Sequence, residues 1–134
     1  MSERPNQLDR FAFGDSPEMA DALLALVLAG TKTATCGALA EYEKEGDLPR
    51  PGQRSIVLDG KGRAACVIET TDVRCQRFDT VDADFARREG EGDLSLAYWR
   101  KEHAQFFRRN GDFSPNMMVV CQKFRLIERL DGQP

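Results

Sequence analysis

Arg54-Ser55-Ile56-Val57-Leu58-Asp59-Gly60-Lys61-Gly62-Arg63 is the stretch that decides the fold class. Residues 54–59 carry the β-branched and apolar side chains of a strand, and Gly60-Lys61-Gly62 supplies a hairpin turn. The segment that follows, 63–74, is rich in Val, Ile and Thr and reads as the returning strand. This hairpin is the strongest strand signal in the chain. Outward from it, Met117 to Leu130 reads as a long final strand, with Val119, Cys121, Phe124 and Leu126 among its apolar positions. Phe11-Ala12-Phe13 reads as a short edge strand.

Helical signals separate these strands. Asp15 or Ser16 can cap a helix that has Pro17 at its first position and Glu18 in its first turn. Met19, Leu23, Leu24, Leu26, Val27 and Leu28 give it a broad apolar stripe, and Gly30 ends it. Leu39 to Glu45 is a short helical piece closed by Gly46. Leu48-Pro49-Arg50-Pro51-Gly52 is a rigid turn. Asp82 caps a short helix with Phe85 and Ala86 inward. Ser95 to Arg109 carries Leu96, Trp99, His103, Phe106 and Phe107 at helical spacing. Five or six strands with interspersed helices, and no regular βαβ alternation, give an α+β fold: a small mixed sheet or barrel with flanking helices. Residues 1–134 are expected to form a single domain, with 1–7 and 131–134 polar and loose.

Composition bounds the function. A chain of 134 residues, 41% hydrophobic and 31% charged, has the make-up of a soluble globular protein. The longest apolar run, Ala22 to Ala29, is too short to cross a bilayer, and Met1-Ser2-Glu3-Arg4-Pro5 lacks the regions of a signal peptide. A cytoplasmic protein is expected, with no membrane contact, as a monomer or weak homodimer. Cys36, Cys66, Cys75 and Cys121 form no C-x-x-C pair, so neither a zinc site nor a disulfide is expected, and Cys66 and Cys121 read as buried thiols. His103 is the only histidine, which argues against a multi-histidine metal centre. The net charge of −3 offers no global attraction to polyanions. Nucleic-acid binding would need a local basic patch, for which Arg87-Arg88, Arg100-Lys101 and Arg108-Arg109 are the candidates.

Three features could carry chemistry. Gly30-Thr31-Lys32-Thr33-Ala34-Thr35 follows the first long helix and reads Gly-x-Lys-x-x-Thr. A desolvated lysine beside a hydroxyl is a base–nucleophile pair, because the neutral amine can take the hydroxyl proton. The spacing equally suits a plain helix end, with Lys32 complementing the dipole and Thr33 and Thr35 opening a strand. Glu89-Gly90-Glu91-Gly92-Asp93 places three carboxylates in five residues. Mutual repulsion would raise at least one pKa for acid–base work, the cluster could hold a hard cation, or it could simply cap the next helix. Trp99 and His103 share a helix face. Trp99 is either a stacking platform for a base, with Arg100 on a phosphate, or core. Tyr42 lies just past the Lys/Thr segment and could reach the same cleft.

Taken together, Phe11-Ala12-Phe13-Gly14-Asp15, the Gly30–Thr35 hexapeptide, Leu48-Pro49-Arg50-Pro51-Gly52, residues 85–93 and Trp99-Arg100…His103 resemble the ASCH domain family of the PUA-like superfamily. The resemblance spans roughly residues 9–130. It implies a PUA-like barrel with helices flanking a cleft, and an association with RNA or modified nucleosides. Small bacterial members hydrolyse the acetyl amide of N(4)-acetylcytidine, and their catalytic lysine, threonine and glutamate match Lys32, Thr35 and Glu89. This chain has Cys36-Gly37 where they carry a further basic residue. Other members are described as metal-dependent ribonucleases on single-stranded RNA.

Three readings follow. The first is a hydrolase using Lys32, Thr35 and Glu89, with no cofactor; because 32 and 35 point to opposite faces of a regular strand, it requires residues 30–33 to be irregular. The second is a non-catalytic RNA-binding module in which Lys32, Arg54 and Arg100 touch phosphate while Tyr42 or Trp99 stacks a base; His103 could bond a ligand or the Glu-rich turn. The third is a ribonuclease assisted by a divalent metal on Glu89, Glu91 and Asp93.

Overall fold

The computed structural model describes residues 8–133. Five strands make one curled, mixed sheet: β1 (Asp9–Phe11), β2 (Ala34–Ala38), β3 (Arg54–Leu58), β4 (Ala64–Arg77) and β5 (Met118–Gln133), in the order β1-β3-β4-β5-β2. Four helices accompany it: α1 (Pro17–Leu28), α2 (Leu39–Glu45), α3 (Ala83–Glu89) and α4 (Leu96–Asn110). The expected α+β architecture is thus observed. The β3–β4 hairpin closes where expected: the Asp59 carboxylate accepts from the backbone N–H groups of Lys61 and Arg63, holding the turn by side chain as well as backbone. β1 is an edge strand, parallel to β3, and all other pairings are antiparallel.

The helix boundaries follow from their caps. The Ser16 hydroxyl accepts from Met19 N–H at 3.1 Å, Asp82 accepts from Phe85 N–H at 2.9 Å, and Ser95 accepts from Tyr98 N–H at 3.1 Å. Asp15, the other candidate cap, instead receives the side chains of Arg109 and Asn110, at 3.0 and 2.9 Å. α1 ends in a Schellman motif: Gly30 N–H donates to Val27, and Thr31 N–H to Leu26, with Gly30 at φ 81°. That left-handed turn sends the chain back toward the sheet. Residues 31–33 are irregular before β2 begins, as the sequence required.

Alternation along the strands divides the core. Leu23, Leu24 and Val27 of α1 pack with Phe13 on Val57, Cys66, Ile68 and Phe124. Phe85 and Ala86 of α3 and Trp99, Ala104 and Phe107 of α4 pack on Ala34, Val119 and Cys121. On β5 the odd positions 119 and 121 serve the α3–α4 core while the even position 124 serves the α1 core, the two faces of one strand. Cys66 and Cys121 are buried thiols, as expected, and all four cysteines are free.

Two boundaries differ from expectation. β4 runs to Arg77 rather than Arg74, because its second half pairs with the start of β5 from Asp72↔Lys123 to Arg77↔Met118. Residues 131–133, expected to be loose, continue β5, and Gln133 pairs with Ala64. The expectation for 1–7, and for 134, lies outside the described residues.

Candidate functional site

The turn after α3 is built to receive the segment before β2. α3 ends at Glu89, and Gly90 (φ 74°) reverses the chain. A Cβ on Gly90 would lie 2.6 Å from the Thr31 carbonyl oxygen, so only glycine allows the two backbones to touch. Thr33 N–H then donates to the Arg88 carbonyl at 2.7 Å. This docking carries the Lys32 side chain into the interior beside the carboxylates.

Lys32 and Glu89 are almost wholly buried, at 2% and 1% exposure. The Lys32 ammonium donates to Glu89 Oε1 at 2.9 Å, to Glu91 Oε2 at 3.1 Å and to the Ala34 carbonyl at 2.9 Å. It also lies 5.3 Å from the centre of the Phe13 ring. The other Glu89 oxygen, Oε2, receives the Trp99 indole N–H at 2.7 Å and His103 Nε2 at 3.1 Å. His103 Nδ1 lies 2.9 Å from the Trp99 carbonyl oxygen. A carbonyl and an ionised carboxylate can only accept, so both ring nitrogens carry protons and His103 is an imidazolium. Two cations therefore face two carboxylates, and no buried side-chain polar atom among the described residues lacks a partner.

These contacts set the charges. Burial pushes Glu89 up, but Lys32 and His103 override it and hold the carboxyl down at about 2. Burial pushes Lys32 down, but Glu89 and Glu91 override it and raise it above its ordinary value. His103 behaves in the same way, burial lowering and Glu89 raising it, with a net rise. Two expectations are corrected here. Lys32 is a fully paired ammonium rather than a neutral amine. The carboxylate cluster holds Glu89 with a lowered pKa rather than a raised one, because the nearest charges are cations rather than other carboxylates.

The open side of β2 is different. A cleft of about 1310 Å³ runs past Phe11–Asp15, β2, α2, Asp47–Pro49 and the end of α4. Thr35, Tyr42, Ser55 and Gln122 line it, and Lys32 and Glu89 do not. Thr35 alternates with Ala34 and Cys36, which pack on the α3–α4 core, and it pairs across the ladder with Gln122. Gln122 donates to the Thr70 hydroxyl at 2.6 Å beneath the floor. Thr35 makes no side-chain hydrogen bond among the described residues. Its partial exposure and place on the cleft leave the hydroxyl open to solvent. Tyr42 leans over Gly37, where a Cβ would come within 2.9 Å of its ring, and burial holds its phenol at about 12. The Cys36 thiol is pushed well above its usual range by the neighbouring Cys121 thiol and by burial.

The structure thus joins Lys32, Glu89, Glu91, His103 and Trp99 in one buried cluster, while Thr35 and Tyr42 line the neighbouring cleft. Trp99 is 2% exposed, so it is core and presents no face to a base. Arg54 lies outside the cleft and pairs with Glu69. Arg100 lies on the far side of α4. Asp93 is exposed and accepts from Ser95 N–H, a capping role, and of the two partners open to His103 the structure shows the Glu-rich turn, beside Glu89 and Glu91. Those three could offer one ligand atom each within 4.8 Å. Three of the four carboxylate oxygens already receive the Lys32 ammonium, the Trp99 indole N–H or His103, and a protonated His103 offers no lone pair. Sequence reasoning missed Ser55, Gln122 and Thr70. Gln122 had a signal, as a polar residue inside the apolar run Val119-Val120-Cys121-Gln122.

The curled mixed sheet with helices against a cleft is a PUA-like architecture. The model of the ASCH domain family matches residues 9–128, and the chain belongs to that family. A solved structure of a protein from Enterococcus faecalis V583 is 40% identical, with 90% of this chain and 77% of that one covered and a TM-score of 0.82. An ASCH domain from Lactobacillus crispatus JV V101 is 32% identical, with 90% and 80% covered and a TM-score of 0.83. An ASCH protein of Zymomonas mobilis shares the fold at 12% identity, with 95% and 68% covered and a TM-score of 0.55. The comparison with curated proteins gave no match.

Proposed function

We propose that the protein is a hydrolase directed at RNA or a modified nucleoside, cleaving an acyl amide of the acetylated-cytidine type in the cleft beside Thr35. The observation that carries this reading is the Thr35 hydroxyl, open to a cleft large enough for a nucleoside, with the Glu89-paired Lys32 ammonium bonded to the Ala34 carbonyl of the same strand. Membership of the ASCH family supports an RNA-related role.

In this scheme the Thr35 oxygen attacks the amide carbonyl, its proton passes to Lys32, and Lys32 returns the proton to the departing exocyclic amine. Water then hydrolyses the acyl ester. Lys32 must first shed its own proton and turn toward Thr35. Glu91 is the detachable partner, 17% exposed on a turn between two glycines. Removing its charge leaves burial, the largest influence on Lys32, opposed by Glu89 alone. Glu89 stays ionised and orients the amine.

Turnover of N(4)-acetylcytidine to cytidine tests this. Thr35→Ala is expected to lose at least about 100-fold in kcat, and Glu91→Gln to move the ascending limb of the pH–rate profile, set by deprotonation of Lys32, toward lower pH. Full turnover by Thr35→Ala would sink Thr35 as the nucleophile, and no turnover by the intact protein would sink the hydrolase.

One observation favours a second reading. All three Lys32 N–H groups are already used by protein acceptors. A non-catalytic cleft that binds RNA on Thr35, Tyr42 and Gln122 is consistent with a lysine serving as a structural cation. Nucleoside binding without turnover in the intact protein would select it.

A further inference from the structure

Most exposed arginines are neutralised in pairs. Arg50, Arg63, Arg74, Arg77, Arg87, Arg88, Arg109 and Arg125 each face an Asp or Glu. Arg100, Lys101 and Arg108 make no ion pair among the described residues, and they lie together. With Ala104 and Gln105 they form one face of α4, at helical spacing, over a groove of about 510 Å³. The floor of the groove is aromatic. The Arg108 guanidinium lies 4.8 Å from the centre of the Phe113 ring. Phe113 in turn meets Phe78 edge-on, with centroids 5.0 Å apart. The one acidic residue at the groove, Asp79, is held by Arg77 through both oxygens, at 3.0 and 2.7 Å. The groove therefore presents positive charge in a protein whose net charge is −3.

Resting on the RNA-directed reading of the cleft, we infer that this α4 groove is a second site, which takes the phosphodiester backbone of a single-stranded polynucleotide whose reacting base enters the cleft. Planar guanidinium over an aromatic ring, with two further cations along one helix face, matches alternating phosphates and stackable bases. An acidic peptide would use the cations but not the ring. Phe106, Phe107 and Asn110 of the same helix line the cleft, and Gly111 and Asp112 continue its wall to Phe113 at the groove. The two sites thus lie on opposite faces of α4 and meet around its C-terminal end. The substrate is then a strand rather than a free nucleoside, and free nucleoside uses only the cleft.

The experiment is equilibrium binding of a fluorescein-labelled single-stranded oligoribonucleotide to the intact chain across a salt series. The variants are Arg100→Gln/Lys101→Gln/Arg108→Gln and, as a surface-charge control, Lys61→Gln. Each phosphate contact on a single strand contributes a slope of about −0.7 in log K against log salt. The triple variant should lose about 2 in slope and bind at least about 10-fold more weakly at low salt, while Lys61→Gln keeps the parent slope. A triple variant with the parent slope and affinity overturns the inference, as does a glutamate-rich peptide competing as well as unlabelled oligonucleotide. Failure here is distinct from failure of the cleft reading, which is judged by acetylcytidine turnover, a substrate without phosphate.

Discussion

The buried cluster around Lys32, the sealed side, and the cleft along β2, the open side, are built differently. On the sealed side, two cations and two carboxylates are locked together with an indole N–H, and each proton has an acceptor. On the open side, half-buried Thr35 and Tyr42 line the cleft above the buried Gln122, and the charged groups lie around its rim. The contrast teaches that residues adjacent in a motif need not share a site. Lys32 lies three positions from Thr35, yet its amine is committed to the α3–α4 turn. The sealed side fixes where β2 runs, and the open side holds the groups free to meet a ligand.

The largest expected effect breaks the sealed side alone. Glu89→Gln leaves Lys32 and His103 buried without their shared carboxylate and should cost about 3–5 kcal/mol of unfolding free energy. Denaturant titration of that variant beside Thr35→Ala measures the contrast. Thr35→Ala should stay within about 0.5 kcal/mol of the parent. Equal losses in both would erase the distinction.

A smaller effect probes how the turn docks. Gly90→Ala must place its Cβ 2.6 Å from the Thr31 carbonyl oxygen, at φ 74°, and should destabilise by about 1–3 kcal/mol. Gly46→Ala has the same backbone problem, φ 79°, but meets nothing within 4 Å, so it should cost about 1 kcal/mol. Thermal unfolding of the pair separates strain from collision, and Gly90→Ala should have the lower Tm.

The gentlest perturbation is pH. The folded pKa of His103 is raised above 6.5, so its contribution to stability is complete below 6.5 and is lost as pH rises through the folded value. Glu89 falls from 4.5 to about 2, so its contribution is present above 4.5 and is lost as pH falls toward 2. The cluster is therefore most stabilising between pH 4.5 and 6.5. His103→Gln should flatten the decline above 6.5, whereas Tyr42→Phe, on the open side, should leave it in place. Unfolding free energies across that range would show whether the imidazolium is the source.

Much of the fold was legible because its signals are local. The β3–β4 hairpin, the Ser16, Asp82 and Ser95 caps, and the Gly30 and Gly46 stops depend on neighbours within a few residues. The full length of β4 and β5 was not legible, because it depends on pairing between segments some fifty residues apart. The site was legible as a list of residues but not as a geometry. Trp99 at helical spacing could be platform or core, and only its burial beside Glu89 decides for core. The charge on Lys32 was beyond the sequence for the same reason. Burial and a carboxylate partner push an amine in opposite directions, and only distances tell which prevails.

The sequence by itself determined the α+β order of elements, the family and the identity of the charged residues, because periodicity, caps and motif spacing are written along the chain. The tertiary structure alone decided that Lys32 is a sealed ammonium, that His103 rather than Asp93 completes the carboxylate cluster, and that Thr35 faces the cleft. Each depends on which face of β2 a side chain takes and on what a distant turn brings against it.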